Sequence, residues 1–214
     1  MPEFVNSIYK KLYSYFGPQH WWPAETAFEV MLGAILTQNT AWTNVEKAIL
    51  RLKKKKLLNP GRLKKASFKK IAACIMPAGY YNIKTKRLKE FLKYFFKNYQ
   101  ADIRKMSRVN QAALREELLA VNGIGPETAD SILLYALNKP VFVVDAYTKR
   151  IFSRHNLIKE DAPYNEAQNF FLKRLKEDTQ LFNQYHALLV KLGKDFCLKN
   201  KPRCEICPLK LKMN

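Results

Sequence analysis

Apolar residues recur with a helical period along most of the chain. In TAFEVMLGAILTQNT (26–40), Phe28, Met31, Leu32, Ile35 and Leu36 fall on one face, which predicts a helix. QAALREELLAV (111–121) repeats the pattern with Leu114, Leu118, Leu119 and Val121. TADSILLYAL (128–137) does so with Ala129, Ile132, Leu133 and Ala136. Sustained two-residue alternation is hard to find. PVFVVD (140–145), which follows Lys139, reads as a buried extended connector into a helix that begins near Asp145. Only seven Gly and ten Pro punctuate the chain, so turns are few and tight. The pattern predicts an all-α protein with short connections, without internal repeats or a low-complexity linker. At 214 residues and 48% hydrophobic content the chain can bury a sizeable core, as one large domain or two small ones.

Charge narrows the partner. The chain carries 38 Lys+Arg against 18 Asp+Glu, a formal net charge of +20. A polyanion is the first inference, although composition alone would also fit lysines that merely keep a protein soluble. Nucleic acid and an anionic membrane both match the sign. No apolar run approaches the roughly 18 residues of a membrane span. The N-terminal MPEFVNSIYKKLYSYF lacks the apolar core and cleavage site of a signal peptide. The expectation is a soluble, cytoplasmic protein, nucleoid-associated if prokaryotic, with no membrane partner. Residues 51–70 hold ten basic residues and no acidic one, which fits a nucleic-acid face or a solvated helix surface around Leu52, Leu57, Leu58 and Leu63.

Two local patterns carry candidate chemistry. Between the helices predicted at 110–121 and 126–137 lies Asn122-Gly123-Ile124-Gly125. Glycines two apart permit a very tight turn and close approach of another backbone, and Pro126 suits a helix's first turn. Turn amides and the helix N-terminus would point outward together as an anion site suited to a DNA phosphate. The second pattern is Cys197, Cys204 and Cys207 within the last eighteen residues, a clustering that argues for a metal and against disulfides. Cys74, on the apolar face of KKIAACIMPAGYY, reads as a buried structural thiol.

These residues bring a family into view. LLAVNGIGPETADSILLYALNKPVFVVDAYTKRIFSRH resembles the helix-hairpin-helix and Gly/Pro-rich loop with aspartate of the endonuclease III (HhH-GPD) superfamily of DNA glycosylases. LGAILTQNTAWTNVEKAI (32–49), PAGYYNIKTKRLKEF (77–91) and the terminal cysteines resemble three further blocks of it, in the family's order. The resemblance implies a two-lobed helical fold with double-stranded DNA and an extruded base in the cleft. A six-helix barrel over 24–138 would contain the hairpin (110–137). Residues 1–23 with 139–196 would form the second lobe, and 197–214 a cysteine loop and tail.

The same resemblance assigns roles. Asp145 would serve cleavage of the N-glycosidic bond, stabilising an oxocarbenium-like sugar and orienting or deprotonating water. As a preferred N-cap type it could equally cap the helix that follows, and both roles can hold. Strand-cleaving members carry a lysine two residues after the second hairpin glycine. Here that position is Glu127, which cannot form a Schiff base, and neither Lys139 nor Lys149 matches the motif. Glu127 can also be read as a first-turn acid that suits the helix dipole. WWPAETAFEVMLGAILTQNTAW resembles the 3-methyladenine glycosylase branch, where aromatics clasp the flipped base. Trp42, Trp21 and Trp22 are therefore pocket candidates, with lobe packing as the alternative for the latter two, and Glu127 joins them. The expected activity is monofunctional excision of alkylated purines such as 3-methyladenine in base excision repair. The alternatives are an endonuclease III-like glycosylase/AP lyase on oxidised pyrimidines and a non-catalytic DNA-binding module.

Gln38 and Tyr80 match positions whose side chains enter the duplex, although Tyr80 could be a core aromatic. Asn39, Asn82 and Lys84 would touch the DNA backbone beside Gly123, Ile124 and Gly125. The cysteines resemble an iron–sulfur loop whose fourth cysteine is replaced by Met213. Three thiolates could hold a three-iron cluster, a four-iron cluster with an external ligand, or nothing, and any cluster would brace the loop without entering the chemistry. Zinc held by three cysteines and a histidine is a lesser option, because His20, His155 and His186 are not at close metal spacing. A monomer is the default expectation.

Overall fold

Each helix starts where the sequence supplies a side chain for its unpaired amides. In the computed structural model, which describes residues 2–210, twelve α-helices and no strand are found among those residues. In chain order they are α1 (Pro2–Phe16), α2 (Ala27–Leu36), α3 (Trp42–Lys54), α4 (Pro60–Lys65), α5 (Phe68–Ile75), α6 (Tyr81–Tyr99), α7 (Ile103–Ser107), α8 (Gln111–Leu119), α9 (Pro126–Ser131), α10 (Ala146–Arg154), α11 (Tyr164–Leu172) and α12 (Thr179–Asp195). Thr26, Asn59, Ser67, Asp102, Asn110, Asp145 and Asp178 each accept a backbone N–H at the head of a helix. Such a cap contributes about 1 kcal/mol. The described chain separates into two compact units, Ala24–Asn138 and Met1–Pro23 with Lys139–Asn214.

In the Ala24–Asn138 unit, α2 is the central helix. The sequence predicts one apolar face over 26–40, but every residue from Phe28 to Leu36 is buried and the helix stops at Leu36. Even Glu29 is inside, and Lys53 reaches it at 3.0 Å. The long α6 lays Leu88, Phe91, Leu92 and Phe95 into the same core, with Phe28 and Phe95 stacked at 6.3 Å. Leu52, Leu57 and Leu63 are buried beneath the basic segment, while all its cations except the half-buried Lys53 are exposed. Cys74 is buried, as expected. The hairpin's second helix begins at Pro126 but relaxes into a π-helical stretch, Ile132–Ala136, in place of a uniform α-helix to 137.

In the other unit, Val141, Phe142, Val143 and Val144 are buried in a stretch without helix or strand. It carries Phe142 into an aromatic core, stacked on Phe171 at 4.0 Å and edge-on to Phe182 and Tyr185. Gln168 donates to the Phe142 carbonyl at 2.7 Å, so the connector's backbone is satisfied without a sheet. Tyr185 donates its hydroxyl to the Val5 carbonyl, fixing α1 on α12. Gly193 lets α10 approach α12, since a Cβ there would lie 2.4 Å from a ring carbon of Tyr147.

Candidate functional site

The Asp145 carboxylate is the best-defined group. Its Oδ1 accepts the Thr148 amide at 2.7 Å, capping α10, and its Oδ2 faces His186 Nε2 at 3.6 Å. Both side chains are largely enclosed, with Asp145 13% exposed. Burial pushes the Asp145 carboxyl up, but the neighbouring His186 and the Thr148 amide outweigh it, and the net direction is below the ordinary carboxylate value. An enclosed group that remains ionised suits charge stabilisation. Trp21 stands edge-on to His186 at 6.5 Å and to Trp22 at 6.1 Å. Its indole N–H is buried without a hydrogen-bond partner among the described residues. The Lys194 ammonium lies 6.0 Å from the Trp21 ring centre. Asp145, His186, Trp21 and Trp22 therefore form one cluster in the terminal unit. Sequence reading found the aspartate and tryptophans but considered His186 only as a zinc ligand; nothing local in the chain ties it to a carboxylate forty residues away.

Trp42, Glu127 and the expected DNA-contact residues lie in Ala24–Asn138. Trp42, half-buried, opens α3, and Glu127 is exposed on the first turn of α9, where its carbonyl accepts the Ser131 hydroxyl. Gly123 has φ +88°, and a Cβ there would meet the Arg87 side chain at 2.4 Å, so both backbone and packing require glycine. Gly125 differs. Its φ is −94° and a Cβ would meet nothing within 4 Å, so the fold leaves open space over it. Ile124 faces the interior. Its side chain is buried and its amide donates to the Val121 carbonyl at 3.0 Å.

Lys84 and Gln38 both have partners within the protein. Lys84 is 1% exposed, and its ammonium donates to the carbonyls of Leu36 and Ala78 at 2.7 and 2.8 Å and to the Thr40 hydroxyl. Burial and the nearby Arg87 bring its pKa down to about 8. Lys84 therefore closes the C-terminal end of α2 from inside instead of meeting phosphate. Gln38, expected as a wedge into the duplex, donates to the Gly123 carbonyl and the Thr128 hydroxyl, both at 2.9 Å, and accepts from Arg87. It clasps the hairpin turn. Tyr80 behaves otherwise: it is 71% exposed at φ +44°, which removes the core alternative. Asn39, also at positive φ, and Asn82 are exposed as well. Sequence reading missed Asp130, fully buried and gripped by Arg115 through two bonds of 2.7 and 3.2 Å. This pair ties α8 to α9 and so sets the hairpin.

The cysteine loop encloses a cavity of about 240 Å³ lined by Cys197, Cys204, Cys207, His155, Arg154, Arg203 and Lys210, with apolar walls. Arg154 donates to the Cys197 sulfur at 3.4 Å and to the Leu198 and Lys199 carbonyls at 2.7 Å. Among the described residues no three His, Cys, Asp or Glu stand close enough to grip a metal ion. Zinc would require sulfurs about 3.8 Å apart, given a Zn–S distance near 2.3 Å. A cavity of that size has room for a multi-atom group. Soft thiols, a thiol already accepting an N–H, and a buried unpartnered His155 Nδ1 make a donor set that fits an iron–sulfur cluster. Met213 lies outside the described residues.

Comparison with known proteins agrees with this geometry. Residues 32–177 match the family model of the HhH-GPD superfamily base excision DNA repair proteins. A Methanocaldococcus jannaschii protein provisionally described as a DNA repair glycosylase is 50% identical over 97% of this chain and 94% of its own length. The crystal structure of the Helicobacter pylori 3-methyladenine DNA glycosylase bound to 1,N6-ethenoadenine is similar with a TM-score of 0.77 and 34% identity, covering 88% of this chain and 96% of that one. A trapped endonuclease III–DNA covalent intermediate shares the fold at a TM-score of 0.84 and 19% identity, over 98% of this chain and 93% of that one. A chain whose matched span runs from the Gln38 turn through the hairpin to Asp145 and beyond belongs to the HhH-GPD superfamily of base excision DNA repair proteins.

Proposed function

We propose that this protein is a monofunctional DNA N-glycosylase that hydrolyses the N-glycosidic bond of flipped alkylated purines, 3-methyladenine first, in double-stranded DNA. The observation that carries the reading is an enclosed Asp145 carboxylate held in its ionised form by His186 and the Thr148 amide. As the base leaves, positive charge develops on the sugar. A fixed carboxylate stabilises that charge and orients the attacking water, while His186 and the α10 cap hold it in place. A cationic alkylated purine leaves without a lysine nucleophile, and Glu127 stands at the position where strand-cleaving relatives need one. Trp21 and Trp22, in the unit that carries Asp145, are candidate aromatic contacts for such a base, and Trp42 is a separate candidate, each good cation–π contact contributing about 0.5–2 kcal/mol. The similarity to a glycosylase solved with an etheno-modified adenine supports the same substrate class.

On the DNA side, the net charge of +20, the exposed cations of 51–70, the open backbone at Gly125 and the exposed Tyr80 support duplex binding by a monomer. Asn39 and Asn82 are candidate backbone contacts. Cys197, Cys204 and Cys207 would hold an iron–sulfur cluster whose contribution is to brace a basic loop. The test is incubation with duplexes carrying single defined lesions, with and without alkali, beside Asp145→Asn. Release of 3-methyladenine with strand breaks only after alkali is expected. Cleavage at thymine glycol without alkali, trapped covalently by borohydride, would establish the lyase instead, and binding without base release would leave only a binding module.

A further inference from the structure

Three thiols leave an iron–sulfur core one protein ligand short, and the cavity wall supplies a candidate. His155 lines the cavity with Cys197, Cys204 and Cys207, and its Nδ1 is buried with no hydrogen-bond partner among the described residues. A buried polar atom in that state is unfavourable, and a metal bond would satisfy it. Imidazole is an established ligand of iron and of iron–sulfur centres. We propose that His155 is the fourth protein ligand, completing with Cys197, Cys204 and Cys207 a Cys3His site for a four-iron cluster. This rests on the reading that the loop carries a cluster at all.

The surroundings are built for it. His155 is the C-cap of α10, and the two arginines on that helix's last turns bind the loop directly. Arg150 donates to the carbonyls of Cys197 and Gly193 at 2.8 and 2.9 Å, and Arg154 to the Cys197 sulfur and the carbonyls of Leu198 and Lys199. The imidazole is thereby fixed relative to the first cysteine. Three thiolates on a four-iron core leave a net charge of about −1. Among the described residues the lining holds three cations, Arg154, Arg203 and Lys210, and no carboxylate. An N–H already directed at the Cys197 sulfur is the kind of outer contact that tunes such a cluster.

The test uses the full chain purified anaerobically as wild type, His155→Ala, His155→Cys and Met213→Ala. Iron and labile sulfide per chain, nitrogen hyperfine coupling in the reduced cluster, and reduction potential are read. Wild type and Met213→Ala are expected to hold four irons with a strongly coupled nitrogen. His155→Ala should fall to three irons or fewer. His155→Cys, which preserves a ligand and guards against simple misfolding, should keep four irons, lose the nitrogen coupling and shift to lower potential, since histidine ligands raise it. Four irons with unchanged coupling and potential in His155→Cys would overturn the assignment while leaving the cluster. Wild-type protein without iron or the broad absorption near about 400 nm would overturn both.

Discussion

The helix cap observed at Asp145 and the catalytic role proposed for it can be separated by substitution. Asn at this position keeps the shape and the side-chain oxygen that accepts the Thr148 amide, so α10 keeps its cap, but the charge opposite His186 is gone. Loss of a positioned acid–base or electrostatic group costs about 10²–10⁴ in rate, or ~2.7–5.5 kcal/mol of transition-state stabilisation. Ala removes the cap too, a further ~1 kcal/mol of folding stability. With an unfolding entropy of about 2.1 cal/mol/K per residue, 214 residues give ~450 cal/mol/K, so each kcal/mol moves Tm by ~2 °C. Asp145→Asn should therefore lower single-turnover release of 3-methyladenine at least a hundredfold with little change in melting. Asp145→Ala should match it in rate and melt ~2 °C below it. The assay is excision under enzyme excess beside circular-dichroism melting. If Asp145→Asn retained activity within tenfold of wild type, the carboxylate would be a cap alone, and the proposed chemistry would fall.

Other consequences are as direct. Because the folded Asp145 pKa lies below its ordinary 3.8, the carboxylate adds stability above that value, and the gain is lost as pH falls through the still lower folded value. The acid limb of the rate profile due to this group should lie below about pH 4, and a limb centred near pH 6 would assign the essential base elsewhere. Arg115→Met strands the buried Asp130 charge and should cost about 3–5 kcal/mol in urea unfolding, whereas Arg115→Met with Asp130→Leu should recover most of it. Equal loss in single and double variants would refute that pairing. Duplex affinity should fall steeply with salt, and charge reversal of Lys64, Lys65 and Lys69 together should flatten the slope of log K against log salt; an unchanged slope would move the DNA face off this segment.

The helices were legible because burial imposes a 3.6-residue period and polar caps mark their starts. The connector at 140–145 was legible because its apolar run is too short for a helix and is set off by proline. What the sequence concealed was the use made of polar residues. Lys84, beside Asn82 in an exposed turn, looks like a phosphate contact, but a buried helix end can be closed by an ammonium as well as by a backbone amide, and only the packing shows that it is. Gln38 likewise has the right chemistry for a duplex wedge and for a hairpin clasp. Arg115 and Asp130 are one partnership across a turn, fifteen residues apart. His155 was set aside because it is not at metal spacing from the cysteines. Spacing governs ligands within one loop, and this histidine arrives on a helix that Arg154 fastens to that loop from 43 residues earlier.

These features converge on α10. The helix is nine residues long, about 13.5 Å, with Asp145 at one end and His155 at the other. Its position is set by Gly193, which admits Tyr147 against α12, and by Arg150 and Arg154, which bind the cysteine loop. His186, facing Asp145, sits on that same α12. The carboxylate and its imidazole partner are thus carried by two helices that pack closely, with Gly193 admitting Tyr147 at one point of the contact and the cysteine loop fastened beside them. A cluster held by that loop and by His155 would fix the far end of the lever that aims Asp145. The cysteine loop can therefore matter to base release without any of its atoms approaching the sugar, because a carboxylate stabilises a developing charge only as well as it is held.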